Sequence, residues 1–226
     1  MSSCHTRDLP NYNSLKRAKN GQILPLDFLV YINTRTDWFS RLKRWAVGPY
    51  EHVAIYLGEA WGMPLKYESE GRGVSIKSLL TDTNLPVVVV RTQLTQEQAD
   101  KVFVTIMDIC SNPESYYDYA AVVKYCLPRI LKEKFHIELP VYYKRDAYMI
   151  CSEAAAEPFW RNIIPILKMD DVKAVMARSE IKKLEKQWQS AFELDIPMPS
   201  DFVNSDKLQH ITSGKLFVDV FPWEEK

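Results

Sequence analysis

Met149-Ile150-Cys151-Ser152-Glu153-Ala154-Ala155-Ala156 places a cysteine where an irregular, tyrosine-rich segment (Val141 to Tyr148) gives way to strong helix formers. Alanine and glutamate favour helix, so the pattern predicts Cys151 at or near a first helical turn. Unpaired backbone N–H groups and the positive end of the helix dipole favour thiolate over thiol at that position. A thiol with an ordinary pKa of about 8.5 becomes a nucleophile at neutral pH when a histidine also lies beside it. Without such a partner, Cys151 reads as one more buried free cysteine.

The candidate partner stands 99 residues upstream, in Tyr50-Glu51-His52-Val53-Ala54-Ile55-Tyr56-Leu57-Gly58. This run alternates as a strand does. Val53, Ile55 and Leu57 share one face, and His52, Ala54 and Tyr56 share the other. The apolar face suits a core, which leaves His52 at the strand start beside small Ala54, where another element can approach. Taken alone, it reads as an ordinary strand-end histidine.

Taken together, the two stretches resemble one family. A histidine opening H-V-A-I-Y-L-G, an E-x-x-x-x-G-V segment starting at Glu68, and a late C-S-E helix are similar to the circularly permuted NlpC-like cysteine hydrolases of the papain fold, the YiiX/YebB-like group. In ordinary papain-fold enzymes the cysteine helix precedes the histidine strand; in the permuted group the histidine comes first, as here. Further matches are Leu26-Asp27-Phe28-Leu29-Val30, Tyr117-Asp118-Tyr119 and Pro199-Ser200-Asp201-Phe202-Val203-Asn204-Ser205, so the resemblance runs from about Leu26 to about Ile211. Family members usually have glycine where this chain has Leu26. The resemblance implies an α+β permuted papain-like fold, a mostly antiparallel central sheet packed against helices, and cleavage of an amide bond through a thioester. It implies Cys151 as nucleophile and His52 as base, with no metal or organic cofactor, acting on an amide-containing small molecule or peptide. The related lecithin:retinol acyltransferase-like branch, which acts on lipids, typically has a second histidine where this chain has Glu68, and N-C-E-H-F where it has I-C-S-E-A. Both departures favour the amidase-like side. A non-catalytic binding module of the same fold is the competing class; retention of Cys151 and His52 together argues against it.

Strand parity leaves the third residue open, because Glu68 and Glu70 lie on one face. Glu51 points away from His52 in a regular strand. Gly71 and Gly73 put Glu70 at a frayed strand end, while Glu68 lies deeper and fits the family spacing, so Glu68 is expected to orient His52.

The whole chain sets the frame for these motifs. Its 226 residues fit one domain with a sizeable core. With 29 basic and 29 acidic residues, no global field steers it to nucleic acid. Met1 to Asn20 is polar and basic, without an apolar core of a secretory signal, and no apolar run approaches the ~20 residues of a membrane span. The expected location is therefore cytoplasmic, with reduced thiols; the resemblance, whose family occurs in bacteria and viruses, implies that a bacterial or viral origin is open. Oligomeric state is not legible. Residues 1–22 read as a flexible tail, and 23–226 as one domain carrying a helical arm near 168–194.

Along the chain, Asp27 to Thr34 reads as a first strand. Asp37 to Val47 has aromatics opposite cations; a helix packed on the sheet with a solvated basic face is favoured over a membrane-surface helix. Leu65 to Glu70 pairs with the His52 strand as a hairpin, and Val74 to Leu80 leads into a short helix. Leu85 to Thr92 is a central strand buried on both faces. Thr95 and Gln98 have capping-box spacing ahead of a helix with Cys110 on its buried stripe. Helices follow at Ser115 to Leu127, with Cys126 on the apolar surface and Asp118 as cap, and at Asp170 to Phe192. Pro158 kinks or ends the cysteine helix. His136, in an alternating segment, is the runner-up for the base.

Overall fold

The computed structural model describes residues 23–38, 41, 44, 48–60, 62–71, 73–82, 85–112, 136, 150–167 and 197–216. The expected tail at 1–22, the helices at 115–127 and 170–192, and the arm near 168–194 lie outside these residues. Only parts of the segment expected as a helix over 37–47 are described; there the Arg41 N–H donates to Asp37 O and the Gly48 N–H to Arg44 O, both at helical spacing.

Six strands form one antiparallel sheet: β1 (Phe28–Ile32), β2 (Tyr50–Ala60), β3 (Met63–Glu70), β4 (Gly73–Ser78), β5 (Pro86–Arg91) and β6 (Gln209–Lys215), in the order β4-β3-β2-β1-β5-β6. The described helices are α1 (Gln96–Ser111), α2 (Cys151–Trp160) and α3 (Pro199–Asn204). The architecture is α+β. Among the described residues, no helix is long and apolar enough to cross a membrane.

Period-two patterning decides which side chains meet which layer. Phe28, Val30, Val53, Ile55, Tyr67, Val88 and Val90 face the helices, with Phe28 stacked at 4.8 Å on Phe159 of α2 and at 5.0 Å on Phe202 of α3. Leu29, Tyr31, Ala54, Tyr56, Val87 and Val89 form a second apolar layer on the opposite face with Ile23, Leu79 and Leu216. The valine run of β5 feeds both layers, which explains why it is apolar without alternation.

Two expectations need correction. Val74 to Leu80 does not simply lead into a helix: Gly73–Ser78 is a strand at the sheet edge, and only Leu79–Asp82 turns helically, as one 3-10 turn. Val74 and Ile76 alternate with Ser75 and Lys77, a period that suits a strand. Pro158 does not end the cysteine helix either, since α2 continues to Trp160.

Leu26 adopts φ 73° at the entry to β1, where glycine would carry no steric cost. A left-handed leucine costs about 1–2 kcal/mol. Its side chain is buried among the helix-side residues, which stabilises by about 2–3 kcal/mol and offsets that strain.

Candidate active site

Cys151 is the first residue of α2, after Ile150 in extended conformation (φ −75°, ψ 167°). The first intrahelical bond runs from the Ala154 N–H to Ile150 O at 2.9 Å. The buried Glu153 side chain turns back to accept the Ile150 N–H at 3.2 Å, which fixes where the helix begins. Ser152 and three alanines give α2 a thin profile, so it can lie close against β2 and β3, and every residue from Cys151 to Trp160 is buried.

Cys151 belongs to the helix-side layer, whereas His52 shares a parity with Ala54 and Tyr56 on the other. The sheet is opened at this point. The registered β2–β3 pairs stop at Ile55↔Tyr67, while β3–β4 pairing continues to Glu70↔Gly73 and β1–β2 pairing to Tyr50. A register shift at Tyr31/Ile32 bends the start of β2. Here the Cys151 sulfur meets the His52 side chain and accepts the N–H groups of Val53 and Ser152.

The far side of the imidazole meets β3. His52 Nε2 lies 2.9 Å from Glu68 Oε2, so Nδ1 is the ring nitrogen left for the sulfur. Glu68 has no exposed side-chain surface. Lys66 Nζ reaches the same Oε2 at 2.8 Å and Asp82 Oδ2 at 2.7 Å. Asp82 also accepts from the Tyr31 hydroxyl. Lys77 Nζ lies 3.1 Å from Glu68 Oε1 and 2.6 Å from Glu70 Oε2. Glu70 is 50% exposed at the rim of this cluster.

These contacts set the charges. Burial works against the imidazolium, but Cys151 and Glu68 beside it outweigh burial and raise His52 to about 10. Burial opposes the Cys151 thiolate; His52, then the N–H groups of Val53 and Ser152, bring it below the ordinary thiol value. Glu68 is likewise penalised by burial, yet His52 and Lys66 hold it down at about 2. Each of these contacts favours the charged form of its members: imidazolium at His52, thiolate at Cys151 and carboxylate at Glu68.

The structure therefore brings Cys151, His52 and Glu68 together and leaves Glu70 on Lys77. His136, the runner-up for the base, is exposed and has φ 55°. Cys110 is half-buried on α1, and burial pushes its thiol up to about 11. Sequence reading missed Lys66, Asp82 and Tyr31. The available signal was Lys66 two residues before Glu68, and hence on the same strand face; Asp82 was obscured because β4 was not recognised.

His52, Glu68 and Glu70 offer donor atoms within 4.8 Å of one another, a spacing that a metal ion could use. The ammoniums of Lys66 and Lys77 already pair with these carboxylates, so a cation would have to displace both. As arranged, this donor set does not fit a metal ion.

No protein-family model matches the chain, and no curated protein matches it by sequence. Among solved structures it is similar to the crystal structure of the metalloprotein YiiX from Escherichia coli O157:H7, at 15% identity and a TM-score of 0.54, over 86% of this chain and 99% of that one. The chain has a YiiX-like fold.

Proposed function

We propose that the chain is a cysteine hydrolase of the permuted papain-like (NlpC-like) kind, cleaving an amide bond through a thioester, with Cys151 as nucleophile, His52 as acid and base, and Glu68 orienting His52. The observation that carries this reading is the sulfur at a helix start against His52, whose Nε2 lies 2.9 Å from a buried carboxylate. The Cys151 thiolate attacks the carbonyl carbon. As the C–N bond breaks, the His52 imidazolium protonates the departing amine. Water then gives a proton to His52 and attacks the thioester, the acid product leaves, and the thiolate returns. Backbone N–H groups in the first turn of α2 are suited to the oxyanion, at about 3 kcal/mol for a well-placed donor.

YiiX is described as a metalloprotein, and the His52, Glu68 and Glu70 donors are the feature that would favour a metal here. Lys66 and Lys77 on the same carboxylates favour the metal-independent reading. Incubation with a panel of activated acyl amides and esters, acid quench and peptide mapping should find an acyl group on the peptide containing Cys151. The adduct should be absent from Cys151→Ala and should form equally after chelator treatment. An adduct that survives in Cys151→Ala, or none across the panel, would overturn the assignment.

A further inference from the structure

We infer that Lys66 is a positioning residue of the site: its ammonium, anchored by Asp82, shares the Glu68 oxygen that faces His52, holding that carboxylate in place and limiting its grip on the imidazolium proton. This inference rests on the proposed thiolate–imidazolium reading and adds to it the group that sets its proton affinities.

Lys66 is 3% exposed, which is rare for lysine and requires paired acceptors. It has them on both sides, Glu68 Oε2 at 2.8 Å and Asp82 Oδ2 at 2.7 Å. The Tyr31 ring lies beneath the ammonium at 5.6 Å and beside the His52 ring at 5.5 Å, while the Tyr31 hydroxyl donates to Asp82. Asp82 and Tyr31 thus fix the ammonium from β1 and the 3-10 turn. Glu68 Oε2 then carries two charge-assisted contacts, from Lys66 at 2.8 Å and from His52 at 2.9 Å. An oxygen shared in this way is a weaker partner for each donor than one serving a single cation.

Among the described residues, the titratable groups around His52 are Glu68, Glu70 and Lys66 on β3, Lys77 on β4, Asp82 on the 3-10 turn, Tyr31 on β1 and Cys151 on α2. Lys77 does not duplicate Lys66. It contacts the opposite oxygen of Glu68, is 35% exposed to screening water and is shared with Glu70.

Removing a buried cation favours the protonated form of every group near it. Neutral Lys66 variants should therefore raise the midpoints of both His52 and Cys151, with His52 moving more because it shares an oxygen with Lys66. An imidazolium that holds its proton more tightly is a poorer acid toward the leaving amine. Lys66 thus keeps His52 able to part with its proton.

The test uses the full chain and two readouts over pH: imidazole NMR of His52, assigned by its loss in His52→Gln, and ultraviolet thiolate absorbance. Lys66→Met should shift the His52 midpoint upward by about one pH unit and the thiolate midpoint by less. Lys66→Gln, which removes the charge but keeps a hydrogen-bond donor, should do the same and serves if the methionine variant fails to fold. Lys66→Arg should restore both midpoints. Folded neutral variants whose midpoints stay put or move down would overturn the inference while leaving the pair intact. Ordinary imidazole and thiol titrations in the unsubstituted chain would instead remove the pair, and with it both readings.

Discussion

Iodoacetamide at pH 7 is expected to label Cys151 about 100-fold faster than Cys110. Burial pushes the Cys110 thiol up to about 11, so only roughly one molecule in 10⁴ carries that thiolate at pH 7. Cys151 is also buried, and burial is the largest influence opposing its ionisation. His52 and two backbone N–H groups outweigh it and bring the thiol below its ordinary value. A thiolate of lower pKa is intrinsically less nucleophilic, with a Brønsted slope of about 0.45, which offsets part of that difference. Peptide mapping after brief treatment checks the ratio. Equal labelling of the two cysteines would remove Cys151 as nucleophile.

The same measurement isolates His52. The proposed thiolate–imidazolium pair, with His52 raised to about 10, should make the labelling rate nearly flat around neutrality. His52→Ala leaves burial opposed only by the Val53 and Ser152 N–H groups. Labelling at pH 7 should fall about 100-fold and climb roughly tenfold per pH unit, as for a free thiol of raised pKa. A flat profile in that variant would assign the partner role to another group.

How much of this was legible in the sequence depends on the range of the interaction concerned. The β2 strand and the start of α2 are local patterns: alternation over Val53, Ile55 and Leu57, and Cys151 ahead of Ala154, Ala155 and Ala156. Those were readable. The opening between β2 and β3 was not, because it depends on register changes that no run of residues announces. Sequence parity accordingly put His52 on a face where some element could approach, but did not show that the cysteine helix would pack on the opposite face. Lys66 was passed over for a related reason. A lysine in an alternating strand ordinarily faces water; its burial depends on Glu68 beside it and on the 3-10 turn that brings Asp82 over it. Leu26 was legible as a departure from a family glycine, yet its left-handed backbone emerged only with the fold.

Glu68→Gln is expected to cut turnover by roughly 10²–10⁴-fold, and Glu70→Gln by no more than about threefold. The two residues lie on the same face of one strand, so the contrast tests position rather than residue type. Glu68 accepts from His52 Nε2 at 2.9 Å without exposed surface, and its pKa of about 2 keeps it ionised throughout the working range. Glutamine removes the charge that stabilises the imidazolium. Its amide can also donate to Nε2, which favours the tautomer with the proton on Nδ1, facing the sulfur. A neutral imidazole in that tautomer cannot take the thiol's proton, so both the thiolate and the acid for the leaving amine are lost. Glu70 is half exposed and touches Lys77, so its loss removes a water-screened pair worth at most about 1 kcal/mol. Turnover on the substrate that gives the acyl adduct, with far-ultraviolet circular dichroism to establish folding, decides the matter. Glu70→Gln should keep the flat labelling profile of Cys151, and Glu68→Gln should lose it. If the two variants behave alike, or the Glu70 variant is worse, the orienting carboxylate is not Glu68, and the ring of His52 must be held by something other than the 2.9 Å contact to it.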